Sequence, residues 1–262
     1  MIVQSKQLMI KSTILILVLN LSALCSYGIK PYSKYINTPA DVGLSYIDTS
    51  LTTSDNTQIS VWHIRHDTTS KGIFLLVYGD AGNKSYLVQH AFMFYHQGYD
   101  VVLFDYRGFG GSSDFAFDST FLYHEEYFQD FKTVFNYTQA TNKAQTLHIY
   151  AQSMGSIFAT RVILEETSFL ILDSPVLNVK NAQKALKRYK KKKLNIPTLP
   201  DMLDPINVIM FYGTYDYLVQ ERDVNSYCVG VRHLIYATKS KHLKSLQYLQ
   251  TSYFDLIEIG MK

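Results

Sequence analysis

The sequence predicts an α/β fold, in which a mostly parallel sheet is covered by helices on both faces. The continuous apolar run Ile73–Val77 and the similar run within Asp100–Asp105 are typical of strands buried on both faces. Helical segments separate these strands along the chain, and strands that alternate with helices favour a parallel sheet. A chain of 262 residues that is 47% apolar is large enough to bury one sizeable core.

The predicted elements follow one another at regular intervals after an irregular lead-in over residues 30–43. The predicted strands are Leu44–Leu51, Gln58–Arg65, Lys71–Tyr78, Asp100–Asp105, a strand starting at Thr146, Phe169–Asp173, Pro205–Phe211 and Arg232–Ala237. The predicted helices are Lys84–Gln97, Phe121–Asn136, Ser156–Glu165 and a final helix from about His242. We therefore expect a sheet of about eight strands.

The N-terminus has the pattern of a secretory signal peptide covering residues 1–28. Lys6 and Lys11 precede the apolar run 13–24, which is shorter than the about 20 residues that span a bilayer. Small residues then allow cleavage after Cys25 or after Gly28. A lipoprotein signal with lipidated Cys25 as the first mature residue is the alternative, although the preceding leucine fits it poorly. Either interpretation predicts an exported protein.

Residues 29–262 are then expected to form a single α/β domain, with a short cap inserted at about 174–204. The stretch 180–193 holds eight basic residues and no acidic one. Such a run is usually a solvated surface, and the sharper interpretation is a basic cap that meets an anionic membrane or a negative substrate. The net charge of +3 calls for no nucleic-acid partner, and Cys25 and Cys228 make no disulfide framework.

The stretch Thr146–Gly155 suggests a catalytic serine. It runs from a buried strand through Ser153 into a helix, with the small residues Ala151 and Gly155 on either side. This is the pattern of a nucleophile elbow, a sharp turn that exposes the serine above the sheet. The N–H of Met154 would then face the oxygen of an attacked carbonyl. An ordinary strand-turn-helix serine is the alternative.

Three further features strengthen the interpretation of Ser153 as a nucleophile. Asp216 follows a strand and a glycine, at the sheet edge where ligands bind in open α/β folds. His242 follows the last strand, so that the chain order is serine, aspartate, histidine. The turn Tyr78–Gly82 follows the first buried strand and can offer a second oxyanion N–H.

From Gly43 onward the chain resembles the α/β-hydrolase superfamily, and within it the Bem46-like and serine aminopeptidase S33-like (hydrolase-4) branch. The resemblance rests on Tyr78-Gly-Asp-Ala-Gly-Asn83, Phe104-Asp-Tyr-Arg-Gly-Phe-Gly-Gly-Ser112, Tyr150-Ala-Gln-Ser-Met-Gly155 and Phe211-Tyr-Gly-Thr-Tyr-Asp216. The corresponding family motifs are His-Gly-Asn-Ala-Gly-Asn, Asp-Tyr-Arg-Gly-Tyr-Gly-x-Ser, Tyr-Gly-x-Ser-x-Gly and His-Gly-x-x-Asp.

This resemblance implies an α/β-hydrolase fold and a serine hydrolase activity, to which the basic stretch of this chain adds the small basic cap. It implies Ser153 as the nucleophile, His242 as the general base and Asp216 as the residue that orients the histidine. The oxyanion donors would be the backbone N–H groups of Asp80 and Met154. The implied reaction is hydrolysis of a small carboxylic ester through an acyl-enzyme, by a carboxylesterase-like enzyme.

The chain departs from the family pattern in four places. Tyr78 and Tyr212 stand where the family has histidines, Ala151 replaces a glycine, and Lys239-Ser-Lys-His242 lacks the usual leading glycine. The departures around the oxyanion loop support the alternative of a catalytically silent scaffold that binds a ligand or partner, whereas the complete set of Ser153, Asp216 and His242 favours the enzyme. Narrower enzymatic alternatives are a peptidase and an acyl-protein thioesterase. Asp173 also ends a strand and is a rival triad acid, interpreted here as structural.

The remaining patterns suggest no further chemistry. The sequence has no phosphate loop, dinucleotide fingerprint or metal box, so we expect neither cofactor nor metal. Asp105 and Arg107 are interpreted as a pair that braces a loop under the site. Asn83-Lys-Ser85 and Asn136-Tyr-Thr138 match the glycosylation sequon, which matters only in a eukaryotic source.

Overall fold

The structure is a computed structural model that describes residues 28–142, 145–162, 164–190, 207–227 and 232–262. Its strands are β1 (Lys30–Pro31), β2 (Ile47–Thr52), β3 (Gln58–Ile64), β4 (Ile73–Val77), β5 (Ala81–Gly82), β6 (Asp100–Phe104), β7 (Leu147–Gln152), β8 (Leu170–Asp173), β9 (Asn207–Gly213) and β10 (Arg232–Thr238). Its α-helices are α1 (Val88–His96), α2 (Glu125–Thr141), α3 (Gly155–Ala159), α4 (Val179–Lys190), α5 (Glu221–Tyr227), α6 (Ser245–Leu249) and α7 (Ser252–Gly260). Short 3-10 turns cover Pro39–Val42 and Lys84–Leu87.

The central sheet has eight strands in the order β10-β9-β8-β7-β4-β6-β3-β2. Its neighbours are parallel from β10 to β6, while β3 pairs antiparallel with both β6 and β2. Every residue of β4 and β6 is buried, as their apolar runs require of strands covered on both faces. Helix α1 packs on β6, and α3 packs on β7 and β4. The predicted mostly parallel sheet of eight strands is confirmed.

The predicted helices differ from the observed ones in four places. The predicted helix Phe121–Asn136 runs from Glu125 to Thr141, and the predicted helix Lys84–Gln97 begins with the 3-10 turn Lys84–Leu87 and continues as α1. The helix after Ser153 was expected to reach Glu165, but α3 ends at Ala159 and closes with a tighter turn, in which the Arg161 N–H donates to the Phe158 carbonyl at 3.0 Å. The last helical region starts at Ser245 and not at His242, since a left-handed residue, Leu243 (φ 53°), lies between them.

Within the expected cap, helix α4 carries part of the basic stretch. It buries Ala182 and Ala185 and exposes Lys180, Lys184 and Lys187. Residues 191–204 of the cap, residues 1–27 of the predicted leader with Cys25, and Cys228 lie outside the described residues. In the described part of the chain, none of the helices has the length and apolar character needed to cross a membrane.

Candidate active site

Three side chains from separate loops meet at the C-terminal edge of the sheet. Ser153 follows β7, Asp216 follows β9 and His242 follows β10. The Ser153 Oγ lies 2.8 Å from His242 Nε2, and His242 Nδ1 lies 2.7 Å from Asp216 Oδ2. All three residues are at most 7% exposed. The structure therefore brings the serine, histidine and aspartate expected from the sequence into one hydrogen-bonded line.

Ser153 has the backbone of a strained turn. Its φ of 47° lies in the left-handed region, which costs a residue with a side chain about 1–3 kcal/mol. Two hydrogen bonds hold the turn in place: the Ser153 N–H donates to the Asp173 carbonyl at 3.1 Å, and Ser156 Oγ donates to the Ser153 carbonyl at 2.6 Å. A strained serine held this way at a strand end is the geometry of a nucleophile elbow.

The two small residues beside the turn are under different constraints. A Cβ at Gly155 would lie 2.6 Å from the Tyr78 carbonyl oxygen and 2.7 Å from that of Val77, so this position requires glycine. Ala151 lies in regular strand backbone within β7, fully buried, and its methyl group is accommodated. The departure from the family at residue 151 therefore leaves the turn intact.

Asp216 is aimed at the histidine by its own loop. Its Oδ1 accepts hydrogen bonds from the backbone N–H groups of Leu218 at 2.9 Å and Val219 at 3.4 Å, which leaves Oδ2 for His242. A Cβ at Gly213 would fall 2.2 Å from the Ser240 carbonyl oxygen, so the glycine before the aspartate lets the two loops approach. The carboxylate is thus fixed by hydrogen bonds on both oxygens.

The electrostatic surroundings favour a protonated His242. Burial alone lowers the pKa of the imidazole, but the Asp216 carboxylate, by its charge and its hydrogen bond, outweighs that effect. Asp80 and Asp173 add smaller contributions of the same sign, and the pKa is raised above 6.5. A histidine in this environment accepts a proton readily and stabilises the resulting imidazolium.

The loop above the serine is braced by a tyrosine. Tyr78, fully buried, accepts a hydrogen bond on its hydroxyl from the Tyr106 N–H at 3.1 Å, and the Tyr106 hydroxyl donates to the Tyr78 carbonyl at 3.2 Å. Gly79 then passes so close to the elbow that a Cβ there would lie 3.2 Å from that of Ser153. Asp80 is the next residue of this loop. The tyrosine thus provides a brace where the family has histidine.

The expected pairing of Asp105 with Arg107 is wrong. Asp105 is paired with Lys84, whose Nζ lies 2.9 Å from Asp105 Oδ2 and 2.7 Å from the Tyr35 hydroxyl. Both charged side chains are fully buried, and Asp105 also accepts the backbone N–H groups of Lys84 and Gly111. A buried carboxylate needs this many partners to offset its desolvation. The ion pair ties the loop after β4 to the loop after β6.

Arg107 forms a separate network with two other carboxylates. Its guanidinium contacts Asp55 at 2.6 Å and Asp130 at 2.7 Å, and its backbone N–H donates to Asp130 at 2.9 Å. Burial raises the pKa of Asp130 to about 6, against the opposing effect of Arg107. This network anchors helix α2 to the loop after β6.

The hydrogen-bond partner of His242 Nδ1 is Asp216 and not the rival acid, Asp173. Its carboxylate accepts hydrogen bonds from the Tyr253 hydroxyl at 2.9 Å and from Ser174 Oγ at 3.2 Å. Ser174 Oγ in turn accepts the N–H of Leu243, the residue after His242, at 2.9 Å. Burial raises the pKa of Asp173 to about 6. Asp173 therefore supports the histidine loop through Ser174, a role that no local sequence pattern indicates.

A family model described as serine aminopeptidase, S33 (Hydrolase_4) matches residues 68–203, just over half of the chain. The chain belongs to this family. The S33 match contains Ser153 and both glycine-rich loops, and it ends before Asp216 and His242. The resemblance inferred from the motifs is confirmed at the level of the family.

Curated relatives of this S33 protein match over part of their length. A probable lysophospholipase L2 of Haemophilus influenzae is 34% identical over 98 residues, which is 37% of this chain and 31% of the relative. The lysophosphatidylserine lipase ABHD12 of Xenopus tropicalis is 28% identical over 182 residues, 59% of this chain and 46% of the relative. The chain thus spans less than half the length of these relatives.

Solved structures share the fold over most of the chain. An esterase of Pyrococcus furiosus has a TM-score of 0.71 at 17% identity, covering 88% of this chain and 98% of that one. A Xanthomonas campestris α/β serine hydrolase without a lid has a TM-score of 0.60 at 15% identity, covering 87% and 95%. The S33 protein has the α/β-hydrolase fold.

Proposed function

We propose that this protein is a carboxylic ester hydrolase that works through a Ser153–His242–Asp216 triad. The observation that carries the proposal is the hydrogen-bonded line of the three buried side chains, with the serine in a left-handed turn. A binding module has no need of all three groups in that order and geometry. Membership of the S33 family and the esterase neighbours support the same conclusion.

In the proposed mechanism, Ser153 Oγ attacks the acyl carbon while its proton passes to His242 Nε2. Asp216 accepts a hydrogen bond from the Nδ1–H of His242, which keeps that proton on Nδ1, and its charge stabilises the imidazolium. The backbone N–H groups of Asp80 and Met154 are the proposed donors to the oxyanion, where loss of one donor costs about 10²–10³ in rate. His242 then protonates the leaving alcohol, and a water molecule, activated by the same histidine, hydrolyses the acyl-enzyme.

The proposed substrate class is a small ester with a single acyl chain, of the lysophospholipid type. The similarity to a probable lysophospholipase of Haemophilus influenzae and to a lysophosphatidylserine lipase of Xenopus tropicalis supports this class. The exposed Lys180, Lys184 and Lys187 on α4 support it too, because they suit an anionic lipid surface. Thioesters and amides remain the narrower alternatives, since the same triad cleaves them.

The decisive test is labelling of the purified full chain with a fluorophosphonate probe. Wild type is compared with Ser153→Ala and His242→Ala, and all three are checked for cooperative thermal unfolding. Labelling that requires both residues supports the proposal, and hydrolysis is then compared between lysophosphatidylserine and a short p-nitrophenyl ester. Absence of labelling in folded wild type refutes the enzyme and favours the silent binding scaffold.

Membrane contact and export are separate proposals with their own tests. Co-sedimentation with vesicles rich in phosphatidylserine should fall when Lys180, Lys184 and Lys187 are changed together to glutamate. Vesicles of phosphatidylcholine are the uncharged control, and equal binding to both kinds of vesicle refutes the electrostatic contact.

Export is tested by mass analysis of the mature N-terminus, which distinguishes cleavage after Cys25 or Gly28 from lipidation of Cys25. A protein that stays in the cytoplasm with its leader intact refutes export.

A further inference from the structure

Residues 28–36, which we call the N-terminal strap, lie along the loop above the serine. That loop, residues 78–85, is called the oxyanion loop below. Strand β1 of the strap pairs in parallel with β5 of the loop, outside the eight-stranded sheet. The Lys30 N–H donates to the Asp80 carbonyl at 2.8 Å, and the Tyr32 N–H donates to the Gly82 carbonyl at 2.9 Å. The strap therefore extends the loop by a short strand.

Buried side chains lock the strap to the oxyanion loop. The fully buried Asn83 donates from Nδ2 to the carbonyls of Tyr32 at 2.9 Å and Lys34 at 2.8 Å. Further along, the Ile36 N–H donates to Ser85 Oγ at 3.1 Å. Both amide hydrogens of Asn83 are thus directed at the strap, which makes the contact specific in register.

The strap also reaches the buried ion pair beneath the loop. The Tyr35 hydroxyl donates to Asp105 Oδ2 at 2.8 Å and accepts from Lys84 Nζ at 2.7 Å. The Tyr35 ring packs on Trp62, with ring centroids 4.7 Å apart. A strap residue therefore completes the network that joins the loops after β4 and β6.

One strap contact lies at the residue proposed as an oxyanion donor. The Gly28 N–H donates to Asp80 Oδ2 at 3.2 Å, so the strap binds both the carbonyl and the carboxylate of Asp80. Cleavage of the leader after Cys25 keeps the Gly28 contact, whereas cleavage after Gly28 leaves only the Lys30 contact. Asp80 follows Gly79, which packs directly on Ser153. The charge of Asp80 also contributes to the raised pKa of His242. Movement of the strap would therefore move the donor relative to the nucleophile.

We propose that residues 28–36 are a positioning element for catalysis, which holds the Asp80 backbone in register with Ser153. This inference rests on the proposed function and deepens it. A displacement of about 1 Å at a reacting group costs on the order of 10²-fold in rate. Because the strap lies outside the main sheet, loosening it should lower the rate while the eight-stranded core stays folded.

The test is a pair of variants of the full chain at one position. Lys30→Pro removes the N–H that binds the Asp80 carbonyl and suits an extended backbone, whereas Lys30→Ala removes the side chain and keeps the N–H. We expect Lys30→Pro to lower kcat at least about tenfold with little change in KM, as for loss of transition-state contacts. Lys30→Ala should stay within about twofold of wild type, as an exposed substitution does.

Hydrogen exchange of the peptide covering residues 79–85 is measured on the same samples. We expect faster exchange there in Lys30→Pro only, with the strands of the main sheet unchanged. Should Lys30→Pro fail to fold, Tyr35→Phe takes its place, because it removes only the hydroxyl bound to Lys84 and Asp105. The expected result is again a lower kcat with faster exchange over residues 79–85.

The inference is overturned if Lys30→Pro has the kcat and the hydrogen exchange of wild type. It is also overturned if Lys30→Ala loses as much kcat as Lys30→Pro. A different outcome separates this inference from the proposed function. If wild type shows no labelling at Ser153, the proposed function fails, and the exchange comparison alone decides whether the strap holds the loop. Equal protection of residues 79–85 in both Lys30 variants then refutes the strap as well.

Discussion

Replacement of Asp216 by asparagine tests the role proposed for the aspartate of the triad. Asp216 Oδ1 already accepts the N–H groups of Leu218 and Val219, so the asparagine oxygen should take that place. Its NH₂ group would then face His242 Nδ1, 2.7 Å away in the wild type. The imidazole would have to carry its proton on Nε2, facing Ser153, and could not act as a base. The substitution keeps the shape and reverses one hydrogen bond.

The expected loss in kcat for Asp216→Asn is about 10⁴-fold, as for the wrong histidine tautomer in other serine triads. This corresponds to roughly 5.5 kcal/mol of transition-state stabilisation. The assay is hydrolysis of p-nitrophenyl acetate, with thermal unfolding to establish that the variant is folded. Asp173→Asn is the matched control, because Asp173 is also buried but its carboxylate accepts hydrogen bonds from Ser174 and Tyr253, while His242 Nδ1 is hydrogen-bonded to Asp216. A tenfold or smaller loss in Asp216→Asn, or an equal loss in the control, would refute this reasoning.

Three further results are expected. Lys84→Met should lower the free energy of unfolding by about 3–5 kcal/mol in chemical denaturation, because it leaves Asp105 buried without its cation. The control Lys71→Met removes an exposed lysine and should change the free energy of unfolding little. Similar values for the two variants would contradict the ion-pair argument. Gly155→Ala should destabilise the fold by about 1–3 kcal/mol and lower kcat, since the added methyl group meets two carbonyl oxygens. The measurements are thermal unfolding and ester hydrolysis, and wild-type values in both would contradict the steric argument. The pH profile of kcat/KM should rise through a midpoint above 6.5, because the reaction needs neutral His242 and its pKa is raised; a midpoint below 6.5 would contradict this.

The main sheet and the meeting of three loops were predictable because both depend on patterns local in the chain. Buried runs such as Ile73–Val77 mark strands, and a parallel sheet brings their C-terminal ends to one edge. Ser153, Asp216 and His242 each follow such a strand, so their order along the chain is enough to place them together. The outcome was a line of two hydrogen bonds with no further residue between them.

The strap and the ion pair were not predictable, for two physical reasons. The pairing of Lys30–Pro31 with Ala81–Gly82 uses backbone N–H and carbonyl groups, which leave no side-chain pattern in a strand of two residues. Choosing a partner for Asp105 requires knowing which nearby cation is buried. Lys84 was assigned to a helix and Arg107 stands closer in sequence, yet Lys84 is the one enclosed beneath the loop.

The burial of Asn83 also decides how this chain can be made. Asn83-Lys-Ser85 is a sequon, and a secretory host that recognises it attaches a glycan to the same Nδ2 that binds the strap carbonyls. The glycan would replace one of the two amide hydrogens at a side chain with no exposed surface. Glycosylation and the native strap therefore exclude each other. Production in a glycosylating host should yield modified chains whose oxyanion loop is unsupported, whereas a bacterial host avoids the conflict.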